Sequence, residues 1–155
     1  MPNIVCNIVE VCIFSFDNKE PLYLMLRRSK TEQMYPDTWQ IVTGSIEQGE
    51  TALHGALREL KEETGYIPQK FWILPEINSF YSVKTDTLNH TIMFAAQVSP
   101  KTNPVLSDEH YQFGWYPIAV AKSMCVWTGQ IQALDIVHEF IVSGKQTAKL
   151  SEIML

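Results

Sequence analysis

Three carboxylates crowd one short segment of the chain. In GSIEQGETALHGALRELKEETG, from Gly44 to Gly65, Glu59, Glu62 and Glu63 stand almost side by side. At about 100° per residue they fall on one side of a helix. Like charges at this spacing repel, and Arg58 and Lys61 compensate only in part. Concentrated carboxylate suits the capture of a hard divalent cation, which prefers oxygen ligands and keeps places for water and phosphate oxygens. Glu59 and Glu63, one turn apart, are the candidate ligands, and Glu62 widens the site for a second ion. Without a cation, mutual repulsion is expected to raise the pKa values of these groups. Gly55, one turn before Glu59, falls on the same side, where a larger side chain would obstruct whatever binds. Leu53, Leu57 and Leu60 take the adjacent, core-facing side.

The glutamates belong to a longer pattern. Gly44, Glu50, Arg58, Glu59, Leu60, Glu62, Glu63 and Gly65 fit G-x5-E-x7-R-E-U-x-E-E-x-G-U, with U a bulky apolar residue. Chance coincidence of its fixed positions has a probability on the order of 10⁻⁶ or less. The pattern resembles the Nudix box, with Tyr66 at its last place and Ile67 following. The resemblance implies an α/β/α sandwich with a mixed β-sheet between helices. It implies an acid anhydride hydrolase that cleaves nucleoside diphosphates linked to another moiety, with Mg²⁺, or Mn²⁺ in its place, on the box glutamates. Glu59 and Glu63 then hold metal, Arg58 and Glu62 join the catalytic machinery, and Gly44, Glu50 and Gly65 keep the motif in shape, Glu50 as the ion-pair partner of Arg58. The backbone carbonyl at Thr43 or Gly44 is a further candidate ligand. Glu109, in SDEH, matches a region from which such enzymes bring a third metal ligand or the base. His110 is the alternative base, although a loop histidine is more often polar surface.

The surrounding WQ-x-VTGS-x-E-x-GET, the Arg27-Arg28 pair and DEHYQFGW with Trp127 resemble the branch known as dihydroneopterin triphosphate pyrophosphatases or dATP pyrophosphohydrolases. That branch implies hydrolysis of a nucleoside or pterin triphosphate to monophosphate and pyrophosphate. Other readings are a Nudix hydrolase acting on dinucleoside polyphosphates or ADP-ribose, and a non-catalytic nucleotide-binding domain. Because neighbouring strand residues alternate, only one of the two arginines faces the site. The resemblance selects Arg27 for the phosphates. Thr43, Asn78 and Ser79 are the other candidate substrate contacts. Trp39, Phe80, Tyr81 and Trp127 are candidates for stacking a ring, against the commoner role of aromatics as core.

The elements that position these residues follow from pattern and punctuation. Asn3 to Phe16 and Leu22 to Arg28 read as a hairpin, and Trp39 to Gly44 as a short strand. The helix from Thr51 to Thr64 has a capping threonine, a stop at Gly65 and an apolar stripe of Ala52, Leu53, Ala56, Leu57 and Leu60. KFWILPEINSFYSV and HTIMFAAQV read as strands around the loop KTDTLNH, and YQFGWY as another. Pro117 to Met124 reads as a short helix, Thr128 to Ser143 as a full one, and residues 144–155 are weakly specified. Residues 1–155 read as a single domain, with the box at 44–66.

Composition narrows the class. A net charge of -5 argues against a nucleic-acid partner, yet a bound cation leaves an anionic small-molecule phosphoanhydride admissible. No run approaches membrane-span length, and MPNIVCNIVEVC lacks the marks of a signal peptide. Cys6, Cys12 and Cys125 form no C-x-x-C pair and read as reduced thiols, which favours the cytoplasm. The sequence leaves the oligomeric state open.

Overall fold

A computed structural model describes residues 1–100 and 102–155. Lys101 lies outside the described residues. The apolar run near the N-terminus forms β1 (Asn3–Asp17) and returns as β2 (Glu20–Arg28). Asn18 and Lys19 between them both take left-handed backbone, φ 46° and 73°, as a two-residue hairpin turn demands. The expected strand from Trp39 to Gly44 is two pieces, β3 (Trp39–Gln40) and β4 (Val42–Ser45).

The break has a topological cause. One flank of β1 is shared, Ile8–Val11 pairing with β4 and Phe14–Asp17 with β2. The sheet therefore forks. β3 pairs with β2 and β4 with β1, so the chain crosses from one branch to the other at Ile41.

Helix α1 (Ala52–Thr64) follows, then β5 (Lys70–Ser82) and β6 (Thr87–Gln97). Their connection is shorter than KTDTLNH suggests, because Thr87 already opposes Ser82. β7 (His110–Tyr116) pairs with β2. Helices α2 (Ile118–Met124) and α3 (Thr128–Ile136) come next, and α3 runs into a π-helical stretch, Val137–Val142. The weakly specified tail is ordered as α4 (Gln146–Ser151) and β8 (Glu152–Ile153). Its anchors are distant in sequence: β8 pairs with Phe71 and Trp72, and the Trp72 indole N–H donates to the Ala148 carbonyl at 3.0 Å.

The strand order is β3-β2-β1-β6-β5-β8, with β4 beside β1 and β7 beside β2. β1 and β6 run parallel and the other pairs antiparallel, so the sheet is mixed. Alternation sends Val9, Val11, Ile13, Leu24, Leu26, Phe94 and Ala96 to one face, where they meet Ala56 and Leu60 of α1. Cys12, Phe14, Tyr23, Met25, Met93 and Ala95 go to the other, against Ala133 and Leu134 of α3. Each fully buried Leu, Ile or Phe in these two layers stabilises by about 1.5–3 kcal/mol. The result is the expected sandwich of helices around a mixed sheet. Among the described residues no helix is long and apolar enough to cross a membrane.

Candidate active site

α1 is bounded as its sequence implies. Thr51 accepts the His54 N–H on its side chain at 3.2 Å. Gly65 sits at φ 72°, and its N–H donates to the Lys61 carbonyl at 2.8 Å. Tyr66 itself fills the last apolar place of the motif, buried beside Trp115, while Ile67 is exposed.

The three glutamates are graded in burial. Glu63 is 2% exposed, the side chain of Glu59 13% and that of Glu62 58%. Glu63 continues the core stripe of Ala56 and Leu60 at helical spacing, which draws it beneath its neighbours. Both its carboxylate oxygens are buried and make no close hydrogen bond, the Thr43 backbone being a donor near enough to act on them weakly. Burial, then the charges of Glu109 and Glu59, push its pKa well above the carboxylate range. Glu59 is raised as well, again chiefly by burial. Desolvation therefore outranks the mutual repulsion expected from spacing alone.

Arg58 joins the helix to the preceding loop. Its Nε and Nη2 donate to the two oxygens of Glu50, each at 3.0 Å. Nη1 donates to Glu59 at 2.8 Å and Glu62 at 3.2 Å, and Nη2 to the Ser45 carbonyl at 2.7 Å. This fork pulls Glu50 below the usual carboxylate range. Two glycines make room. A Cβ at Gly44 would overlap the Glu59 carboxylate, and one at Gly55 would stand 3.0 Å from a Glu50 oxygen. Gly55 thus clears space for the Glu50–Arg58 pair rather than for a ligand.

β2 and β7 complete the cluster. Glu109 is tied by its carbonyl, which accepts the Ser29 N–H at 2.8 Å, and its carboxylate acts on both Glu63 and Glu59. His110 is buried rather than surface. Its Nε2 accepts from the Gln40 amide at 3.0 Å, so the ring proton sits on Nδ1, 3.9 Å from Glu63. Burial and the nearby Arg28 lower its pKa to about 4, which keeps the ring neutral at pH 7.

The paired arginines separate by alternation. Arg28 shares the α1 face with Leu24 and Leu26, and its charge reaches Glu63 and His110. Arg27 points the other way, to Asp37 at 2.9 Å and Gln112 at 3.2 Å, with its guanidinium over the Trp39 and Tyr111 rings. Arg28, Gln40 and His110 are the residues sequence reasoning missed or undervalued. The parity of Arg28 with Leu24 and Leu26 is the signal that finds it.

Thr43 turns its hydroxyl to the α3 face, bonding the Ile41 carbonyl at 3.1 Å and reaching Glu10 at 3.5 Å. Asn78 packs against Gly129 of α3. Ser79 projects from the opposite face, bonded to the His90 ring at 2.7 Å. The two therefore do not converge. Among the aromatic candidates, Trp39 is half-buried against Tyr116, while Phe80, Tyr81 and Trp127 are exposed. Trp127 meets Tyr35, from the loop between β2 and β3, edge-on at 4.9 Å.

The donor set fits a hard divalent cation: Glu63 offers two buried oxygens that make no close hydrogen bond, and Glu59 and Glu109 stand close enough to act on it electrostatically. Among the described residues no group of three or more His, Cys, Asp or Glu side chains is gathered closely enough to hold a metal ion by itself. Such an ion usually leaves several places to water and phosphate.

The NUDIX domain model matches residues 7–135. Dihydroneopterin triphosphate diphosphatase of Escherichia coli (strain K12) is 49% identical over 53 residues, 34% of this chain and 31% of that protein. The match thus spans about a third of that relative's length. The solved structure of the E. coli dihydroneopterin triphosphate pyrophosphohydrolase superposes with a TM-score of 0.70 at 28% identity, covering 83% of this chain and 91% of that one. A C. elegans Ap4A hydrolase binary complex superposes at 0.75, covering 90% and 98%; at 18% identity it attests the fold alone.

Proposed function

The chain belongs to the Nudix family, and from that premise we propose that it is a divalent-metal-dependent pyrophosphohydrolase. Its substrate is a nucleoside or pterin triphosphate, dihydroneopterin triphosphate or dATP foremost, and its products are the monophosphate and pyrophosphate. The observation that carries this reading is the intact carboxylate assembly: Arg58 clamped to Glu50 and Glu59, over a buried Glu63 whose two oxygens make no close hydrogen bond. A non-catalytic binding domain would be expected to have lost these carboxylates, since burying them without partners costs stability.

Glu59, Glu63 and Glu109 would hold Mg²⁺, with Mn²⁺ as substitute. Bound there, the cation neutralises phosphate charge and acidifies water. The protein's own groups do the rest. Arg58 fixes Glu59 and the Ser45 carbonyl in one frame, so the cluster is preorganised. Glu62, exposed at the rim, accepts the same guanidinium and widens the acidic site. His110, held by Gln40, keeps its Nδ1–H toward Glu63. Water attacks the α phosphorus, the bridge to the β phosphorus breaks, and pyrophosphate leaves. Glu109, on the exposed side, takes the proton released by the water. Thr43 and Asn78, which share the α3 face, are our substrate contacts. Arg27 points to that same face, away from the glutamates, so Arg28, whose charge reaches Glu63, replaces it for the outer phosphates. Ser79, on the opposite face, does not join them. Cys6, Cys12 and Cys125 are all free thiols, which fits a reducing cytoplasm.

The test is a substrate panel of dihydroneopterin triphosphate, dATP, dGTP, diadenosine polyphosphates and ADP-ribose with Mg²⁺, with products resolved by chromatography. Release of intact pyrophosphate from triphosphates supports the reading. A kcat/KM for ADP-ribose or a diadenosine polyphosphate well above every triphosphate overturns the substrate class and leaves the hydrolase chemistry standing.

A further inference from the structure

Away from the glutamate cluster, one buried carboxylate has no role in the chemistry above. Glu10 interrupts the apolar core of β1 and is 6% exposed. Its Oε1 accepts from the Gln130 amide at 2.9 Å and faces the Thr43 hydroxyl at 3.5 Å. Its Oε2 is buried without a partner. Gln130, 2% exposed, is fixed in turn: its Oε1 accepts the Ile41 N–H at 3.4 Å and its Nε2 reaches the Thr43 hydroxyl at 3.3 Å. Gln130 thus holds one oxygen of Glu10, and the other is buried without a partner. Met93, its register partner on β6, and Cys12, two residues along β1, are the apolar neighbours on the same face.

The strand register shows what lies beside it. Glu10 opposes Thr43 on β4 and Met93 on β6. The next row outward on the same face holds Ile8, Thr91 and Asn78, and the row after that Asn89 and Phe80. Burial falls along this path, from Glu10 and Thr91 through half-buried Asn78 to exposed Phe80. The first turn of α3 roofs it, with Gly129 on Asn78 and half-exposed Trp127 leaning on Tyr35. On the far face of β4, the next residue, Gly44, supports Glu59. A flat ring on the α3 face and a phosphate chain at the glutamates would therefore meet around one strand.

We propose that Glu10 is the specificity-determining residue for the substrate's ring: its open Oε2 accepts from the adjacent ring N–H and amino N–H of a 2-amino-4-oxopyrimidine edge. Guanine and pterin share that edge; adenine presents a ring-nitrogen lone pair beside its amino group, which repels a carboxylate oxygen. Gln130 is the positioning residue that aims the carboxylate, and Thr43 supports Gln130. A ring reaching Oε2 parts the first turn of α3 from the sheet, where Trp127 meets Tyr35. Burial raises the pKa of Glu10 in the free protein, and the ring's two donors restore the ionised form. This inference rests on the triphosphate reading above and narrows it to one class of ring.

The experiment compares wild type with Glu10→Gln, which keeps the shape and, with its carbonyl oxygen toward Gln130, puts an amide donor in place of the open acceptor. Two readouts are taken: kcat/KM for dihydroneopterin triphosphate, dGTP and dATP, and metal-free Kd for dGMP and dAMP by calorimetry. Wild type is expected to favour the 2-amino-4-oxo rings by at least about tenfold in both, and Glu10→Gln to erase that preference. A folded Glu10→Gln with the wild-type ratio overturns the proposal, as does a wild type that binds dGMP and dAMP alike; the second holds even if the variant fails to fold. Ring selectivity that follows Glu10 in a protein that cleaves no triphosphate would sink the proposed activity alone. Cleavage without such selectivity would sink this inference alone.

Discussion

Gly44 lies directly beneath Glu59, so closely that a Cβ at position 44 would overlap the Glu59 carboxylate. The contact couples β4 to α1 across the fork in the sheet. Gly44→Ala should push Glu59 off Arg58 Nη1 while sparing the core, because the carboxylate can swing outward. Misplacing a catalytic group by about 1 Å can cost on the order of 10² in rate. The expected result is that loss in kcat with a melting temperature within a few degrees of wild type. Unchanged turnover would show that the position of Glu59 is immaterial.

On the function proposed above, Glu63 would serve turnover at a cost in stability. Its folded pKa is raised, so the folded state holds that proton more tightly than the unfolded chain. Its contribution to metal-free stability is therefore greatest below the ordinary carboxylate range and is lost as pH rises through the raised value. Glu63→Gln should remove that pH dependence. At pH 7–8 without metal it should raise stability by on the order of 1 kcal/mol, a shift of roughly 2–4 °C in melting temperature. The same change, like Glu59→Gln, should cut Mg²⁺-dependent turnover by on the order of 10² or more. A variant no more stable than wild type at pH 8 would contradict the buried-charge account.

Much of this site is legible in the sequence because it is local. The caps of α1, the carboxylate cluster and the Glu50–Arg58 spacing all lie within one helix and its entry loop. The burial of Glu63 is legible too, since it continues the spacing of Ala56 and Leu60, although its charge argues for the surface. What local pattern does not carry is pairing between distant segments. β8 exists because Phe71 and Trp72 offer it an edge, and the split at Ile41 exists because β1 has two partners on one flank. The hydrogen bond of His110 to Gln40 likewise joins residues 70 apart.

Glu109 is joined to the box only through space, so its role is separable. Its backbone is pinned by Ser29, and its carboxylate acts on both Glu59 and Glu63. If it binds metal or takes the proton from water, Glu109→Ala should lower kcat far more than it raises KM, since the loss is felt in the transition state. Steady-state kinetics at saturating Mg²⁺ would decide it. Unaltered kinetics would return Glu109 to the role of a turn residue.

The Arg58 fork depends on shape as well as charge. Its guanidinium serves Glu50 through two parallel bonds and also reaches Glu59, Glu62 and the Ser45 carbonyl. A lysine ammonium is a single point charge and cannot span these partners from one position. Arg58→Lys should therefore lower kcat and the melting temperature together, although the net charge is unchanged. Glu50→Gln, which removes the other half of the clamp, should do the same. If the pair acts as one unit, the Arg58→Lys/Glu50→Gln double variant should be little worse than either single one. Losses that multiply would mean that Arg58 and Glu50 act independently, and the clamp would no longer explain how Glu59 is held in place.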